Sequence, residues 1–165
     1  MGRLTILALR VVLALALVGS LGVQTVMVPL LAADMEGADP DVLELRTPLV
    51  VLLVLGILTT QVVMVCIWQL LTMVRRGTVF SHGAFRYVDV IIGAVAAAAL
   101  LLFALAWVLA PGEAVAPGIV LLIGGAGGVV TGIALVVLVM RALLAQAVDR
   151  DAEAQQLQAE LDEVI

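Results

Sequence analysis

The sequence predicts an all-α integral membrane protein: a four-transmembrane-helix bundle with a C-terminal cytoplasmic helix that extends the fourth span. Three observations lead to this prediction. The 165 residues are 64% hydrophobic and 13% charged, whereas a soluble domain is about a quarter charged. Four apolar runs are each long enough to cross a bilayer. The stretches between the runs are polar or rich in Pro and Gly, as expected of loops outside the lipid.

The first apolar run predicts a span at about residues 8–33. The uncharged apolar run within it, Val11 to Leu31, has 21 residues. That length fits a transmembrane helix, whereas the core of a secretory signal has about 7–15 residues. We therefore expect a retained span, with Pro29 close to its end. The following loop, 34–46, holds five acidic residues and one arginine. We interpret it as a solvated outer loop; an ectodomain that attracts cations or a partner is the alternative.

The second span is predicted at about residues 47–73. Pro48 falls in its first helical turn, where the missing N–H would be unpaired in any case. Gln61 then lies roughly 20 Å from the outer end of the helix, inside the hydrocarbon. A primary amide at that depth needs a partner within the protein, because lipid offers none. We predict a hydrogen bond from Gln61 to another helix; a contact to a substrate or an ion is the alternative.

The segment 75–86 connects the second span to the third, which is predicted at about residues 87–109. Its three arginines, Arg75, Arg76 and Arg86, would lie at the level of the lipid headgroups. Ser81 is a suitable N-cap, and a pairing of Phe80 with Phe85 would form a hydrophobic staple. We therefore expect a structural corner in which Gly77 permits the tight turn, and in which Arg86 shares a helix face with Asp89.

The fourth span, at about residues 119–141, contains glycines spaced by four: Gly124, Gly128 and Gly132. This spacing places them on one helix face and allows a close approach of two backbones. We predict that they pack inside the bundle, with a hinge or a homodimer face as the alternatives.

Residues 147–165 form an acidic amphipathic helix in this prediction, after a membrane domain at 1–146. No Gly or Pro follows Gly132 to end the helix. The alternating spacing of three and four is typical of a helix that packs along one stripe. The tail could dock a partner, pair with a second copy or fold back on the 75–86 segment. The stripe consists of Ala147, Ala154, Leu157, Leu161 and Val164.

The distribution of arginines predicts the orientation. Seven of the eight basic residues fall at the two ends of the chain or in the 75–86 segment, and only Arg46 falls in the outer loops. Because positive residues are retained on the cytoplasmic side, we expect both termini in the cytoplasm. The use of arginine alone, together with abundant Ala, Val, Leu and Gly, suggests a bacterial protein of the cell membrane.

The composition argues against several functional classes. With one histidine and one cysteine, the chain holds no zinc-protease motif and no cysteine framework. The deep part of the spans contains no ionisable residue, which argues against proton-coupled transport. No basic stripe with interleaved aromatics indicates direct binding of nucleic acid. We expect a non-enzymatic protein with no catalytic, metal-binding or cofactor-binding residues.

Three short features carry a resemblance to a known family. They are the Gly-x-x-Phe-Ser corner at 77–81, the helix led by Arg141 after the fourth span, and the acidic ending at 160–165. On these features the chain resembles the bacterial four-span membrane family of unknown function, a DUF family, that is often encoded beside a small Cro/C1-type helix-turn-helix regulator. The resemblance implies no enzymatic activity and a membrane partner that holds or releases such a regulator.

These observations predict a regulatory membrane protein that docks a cytoplasmic protein, such as a helix-turn-helix regulator, through its tail and the 75–86 segment. The alternative is a small transporter or channel subunit, a homo-oligomer assembled through the glycine-rich fourth span, with a polar path lined by Gln24, Gln61 and Thr131. The predicted interaction residues are Arg75, Arg76, Phe80, Ser81, Arg86, Leu157, Leu161 and Val164, and the predicted helix-packing residues are Gly124, Gly128, Gly132 and Gln61.

Overall fold

The computed structural model describes residues 3–34, 40–76, 82–111 and 115–164. Four segments are long and apolar enough to cross a membrane: Leu4–Asp34, Leu43–Arg75, Phe85–Leu109 and Pro117–Leu161. The predicted all-α, four-span membrane fold is thereby confirmed. The elements are α1 (Arg3–Gly22), a π-helical turn (Val23–Met27), α2 (Val28–Asp34), α3 (Pro40–Arg76), α4 (His82–Leu109) and α5 (Pro117–Val164).

The first span is one helix with a widened turn in its middle. Gly22 and Val28, which flank the π-helical turn, both have right-handed helical backbone angles, and the Val28 N–H donates to the carbonyl oxygen of Val23. Pro29 follows directly. Its ring would crowd the carbonyl group of Thr25, and it has no N–H to donate to it. The wider turn accommodates Pro29 without breaking the helix, which continues to Asp34.

The second span begins earlier than the sequence suggested. Helix α3 starts at Pro40, so Pro40 rather than Pro48 occupies the first turn, and Pro48 lies inside the helix. A proline at the first helical position is favourable, and no glycine follows it before Gly56. At 37 residues, α3 is about 55 Å long. It therefore extends well beyond the roughly 30 Å of hydrocarbon in a bilayer.

The helices pack in the order in which they occur in the chain. The first span packs against α3, α3 against α4, and α4 against α5. Helix α4 is thus the central element, and Ala99 on it is only 4% exposed. Its alanine-rich middle lets neighbouring helices approach on both sides. Within the described residues, α1 and α5 do not form an interface of similar extent, so the bundle is open on that side.

The close contact between α4 and α5 is made by Gly127. A Cβ atom placed on Gly127 would lie 3.3 Å from Cε1 and Cζ of Phe103 and 3.4 Å from Cβ of Leu102. The glycines expected to pack inside the bundle differ from this: a Cβ on Gly124, Gly128 or Gly132 would meet nothing within 4 Å. Successive residues are rotated by about 100° around a helix. Gly127 therefore lies on the face towards α4, and Gly128 lies on an open face.

We expect Gly127→Val to destabilise the protein by about 1–3 kcal/mol, because the added atoms overpack the contact with Phe103. Gly128→Val is the matched control, since it makes the same chemical change one residue further on, where space is open. Unfolding in detergent micelles measures both. Equal losses for the two variants would contradict the placement of the α4–α5 contact at Gly127.

Candidate functional site

Arginine side chains from four helices lie at one end of the bundle, which we call the arginine end. The beginning of α1 meets the end of α3 there, because Arg10 contacts Thr72. The beginning of α4 meets the middle of α5 there, because Asp89 contacts Arg141. The arginines of this end with described side chains are Arg10, Arg75, Arg86 and Arg141.

Arg141 forms an ion pair with Asp89 that joins α5 to α4. The Nη2 group donates to Oδ2 at 2.8 Å, and Nε lies 2.8 Å from Oδ1 without the alignment of a hydrogen bond. The guanidinium also lies over the ring of Phe85, 5.8 Å from its centroid. The sequence suggested Arg86 as the neighbour of Asp89. The true partner is 52 residues away in the chain, which local spacing does not reveal.

Arg10 joins α1 to α3 with a similar arrangement but different chemistry. Its Nη2 donates to the hydroxyl oxygen of Thr72 at 2.8 Å, and its guanidinium lies 5.4 Å from the centroid of the Trp68 ring. The Thr72 hydroxyl donates its own hydrogen to the carbonyl oxygen of Trp68 at 3.0 Å. Both partners of Arg10 are neutral. The Trp68 ring thus contributes a cation–π contact to Arg10.

The predicted interaction residues of the 75–86 segment are only partly described. Arg75 and Arg86 have exposed side chains. Helix α4 starts at His82, directly after the expected N-cap. Phe80, Ser81 and the Gly77 turn lie outside the described residues, as does the side chain of Arg76. The expected staple is therefore described only at Phe85, whose ring contacts Arg141.

The C-terminal tail projects from the arginine end as part of α5. The helix has 48 residues and a length of about 72 Å, and every side chain from Asp149 to Leu161 is exposed. Leu157 and Leu161 are 61% and 64% exposed, while the side chain of Val164 lies outside the described part. The tail acids of this stretch make no ion pair with Arg75 or Arg86 in the described residues. The leucines of the stripe are therefore uncovered among the described residues.

A second polar group lies in the middle of the first two spans. The amide nitrogen of Gln61 donates to Ser20 Oγ at 3.2 Å and to Gln24 Oε1 at 3.1 Å. Gln24 belongs to the π-helical turn. Thr131, the third residue of the predicted polar path, donates to the carbonyl oxygen of Gly127 on its own helix. The structure therefore brings Gln24 and Gln61 together and leaves Thr131 on a helix packed against α4.

The grooves between the helices are apolar. Two of them have volumes of about 600 and 650 Å³ and are lined by α3 and α4, with Val130 of α5 also lining the first. Threonine is the only polar residue type in either lining. The hydroxyl groups of Thr59 and Thr60 donate to the carbonyl oxygen of Gly56, so they are already satisfied. Among the described residues, no three His, Cys, Asp or Glu side chains cluster as a metal site would require.

We expect Gln61→Leu to destabilise the protein by about 0.6–2 kcal/mol, because it removes both hydrogen bonds that Gln61 donates to the first span. Gln69→Leu on the same helix is the matched control, since Gln69 is exposed and forms no hydrogen bond in the described residues. Unfolding of the purified proteins in bicelles provides the comparison. If the two variants lose the same stability, the inter-helix hydrogen bonds contribute nothing.

Comparison with known proteins gives one match. Residues 30–165 match the family described as "Protein of unknown function (DUF2975)". The match begins in α2 and includes the arginine end of α3, α4 and α5 together with the tail. Neither a curated protein nor a solved structure matches the chain.

Proposed function

We propose that this chain, which belongs to the DUF2975 family, is a non-enzymatic membrane protein that docks a cytoplasmic protein on its tail and arginine end. The family carries no assigned activity, so the proposal depends on the residues themselves. The observation that supports it most is the exposure of Leu157 and Leu161 on a helix that leaves the bundle without interruption.

The orientation in this proposal places the arginine end and both termini in the cytoplasm of a bacterial cell. Arg10, Arg75, Arg86 and Arg141 share that end, whereas Arg46 lies near the opposite end of α3. Retention of positive charge on the cytoplasmic side supports this orientation. The tail is then a cytoplasmic helix, within reach of soluble regulators.

The tail has an exposed apolar stripe and acidic residues around it, and both favour recognition by a partner protein. Burial of a leucine side chain stabilises a complex by about 1.5–3 kcal/mol when the side chain starts fully exposed, and Leu157 and Leu161 are mostly exposed. An amphipathic helix of this kind binds an apolar groove through residues spaced by three and four. The acids around the stripe favour a basic partner, because complementary charge speeds encounter and selects against acidic surfaces. The described acids are Asp149, Asp151, Glu153 and Glu160.

A DNA-binding regulator fits this description of the partner. Its DNA-binding surface is basic, because it must neutralise phosphates, and an acidic tail would compete with DNA for that surface. The resemblance to a family encoded beside a small helix-turn-helix regulator agrees with this choice. Arg75 and Arg86, exposed at the base of the tail, would add contacts to acidic residues of the same partner.

We expect the double variant Leu157→Gln, Leu161→Gln to weaken binding of the partner at least about tenfold, because both buried contacts are lost. Ala152→Gln with Ala159→Gln is the matched control: both alanines are exposed, and they lie on the opposite side of the helix. Partners are identified by crosslinking in native membranes, and affinity is then measured with the purified partner and full-length protein in nanodiscs.

The docking proposal fails if the leucine variant and the alanine control bind the identified partner equally well. It also fails if removal of residues 147–165 changes none of the proteins recovered by crosslinking. The regulator assignment alone fails if the partner that depends on the tail binds no DNA.

The orientation has a direct test. In a Cys66→Ala background, which removes the buried cysteine, a cysteine is introduced by Ala154→Cys in the tail or by Ala116→Cys between α4 and α5. We expect a membrane-impermeant maleimide to label the Ala116→Cys variant in intact cells, because the loop between α4 and α5 faces outward. The Ala154→Cys variant should be labelled only after lysis, because the tail is cytoplasmic. The reverse pattern would overturn the orientation.

The second candidate function is a transporter or channel subunit assembled through the fourth span. The open face at Gly124, Gly128 and Gly132 favours assembly, since small residues allow close helix contacts in lipid. Solute transport has less support, because Thr131 is separated from the Gln24–Gln61 pair. Flux of small solutes into proteoliposomes distinguishes this candidate from a docking protein.

A further inference from the structure

Two arginines at the arginine end are held in closely similar ways and differ in one respect. Each guanidinium lies over an aromatic ring: Arg10 over Trp68 and Arg141 over Phe85. Each also bonds to a residue of the adjacent helix. For Arg141 that residue is the carboxylate of Asp89, whereas for Arg10 it is a neutral hydroxyl group. Within the part of the chain that the structure describes, the charge of Arg141 is thus compensated by a carboxylate, and that of Arg10 is not.

The hydrogen-bonding capacity of Arg10 is largely unused. A guanidinium has five N–H donors, and in the described residues one nitrogen of Arg10 donates, to Thr72. Its Nε is buried without a hydrogen-bond partner. Thr72 accepts from Arg10 and donates to the carbonyl oxygen of Trp68, so it holds the guanidinium without neutralising it. The arrangement fixes the position of a full positive charge.

No acid of the described chain is placed to compensate that charge. Asp89 is engaged by Arg141, and the exposed tail acids project away with α5. Asp34 and Glu44 lie at the opposite end of their helices. Thr72 is three residues before Arg75 on α3, so Arg10 lies only about 5 Å deeper than Arg75, close to the headgroup level. Since the described residues supply no anion at this position, an anion from the membrane or the solvent can occupy it.

We propose that Arg10, positioned by Thr72 and Trp68, binds the phosphate group of an anionic phospholipid at the arginine end, between α1 and α3. Planar guanidinium donors match phosphate oxygens and form short, charge-assisted hydrogen bonds. Basic sites between transmembrane helices bind anionic headgroups in the same way. The Trp68 ring gives the site an apolar wall beside the acyl chains, and exposed Arg75 lies one turn further out on α3. The proposal is independent of the docking function.

The test uses the delipidated full-length protein in detergent and native mass spectrometry. The probes are phosphatidylglycerol, phosphatidylcholine with the same acyl chains, and inorganic phosphate. We expect wild type to bind phosphatidylglycerol in preference to phosphatidylcholine, and Arg10→Gln to weaken phosphatidylglycerol binding about tenfold, the equivalent of one charge-assisted hydrogen bond. Arg150→Gln in the exposed tail removes the same charge elsewhere and should leave binding unchanged.

A second variant, Thr72→Val, distinguishes loss of the binding site from misfolding of the Arg10→Gln protein. Thr72→Val keeps the shape of the side chain and removes the group that positions Arg10, so the preference for phosphatidylglycerol should fall severalfold while the unfolding temperature in detergent changes little. Equal binding of both lipids by wild type would overturn the proposal, as would unchanged binding in both variants. Displacement of the lipid by millimolar inorganic phosphate would assign the site to soluble phosphate and overturn the lipid assignment.

Discussion

The constraint on which this structure depends is that a polar side chain within lipid must find its partner in the protein. Gln61 satisfies it by bonding to Ser20 and Gln24. Nearer the headgroup level, Arg141 pairs with Asp89. The first bond set fixes the first span against α3, and the second fixes α4 against α5. Between α3 and α4, small and aliphatic side chains form the contact. The polar pairs therefore set the register of the outer helices on an apolar centre.

Much of the fold follows from composition and spacing. Apolar runs of sufficient length, separated by Pro, Gly and charged residues, define the four spans, and the absence of a breaker after Gly132 predicts that α5 continues into the tail. The residues at which helices begin and end were harder to predict from the sequence. Polar residues between Pro40 and Thr47 read as a loop, yet they extend α3 outside the lipid, because a proline at the first position of a helix is compatible with that continuation.

The features that the sequence did not reveal depend on pairing between distant residues. Asp89 has an arginine three residues before it, and only the packing of α4 against α5 selects Arg141 instead. The glycines spaced by four suggested an internal contact, but the rotation of α5 places Gly127 towards Phe103. The π-helical turn before Pro29 is a backbone adjustment with no periodic signature. In each case helix orientation, which a single sequence does not contain, decides the outcome.

The unbroken course of α5 has a mechanical consequence. From Arg141 to Val164 the helix extends about 35 Å beyond the ion pair with Asp89. Between these two residues it contains no glycine or proline at which it could bend. Such a helix segment moves as one rigid body. A tilt of about 10° at the α4–α5 contact would displace its far end by roughly 6 Å. Small adjustments within the lipid thus become movements comparable to the width of a side chain at the tip of the tail.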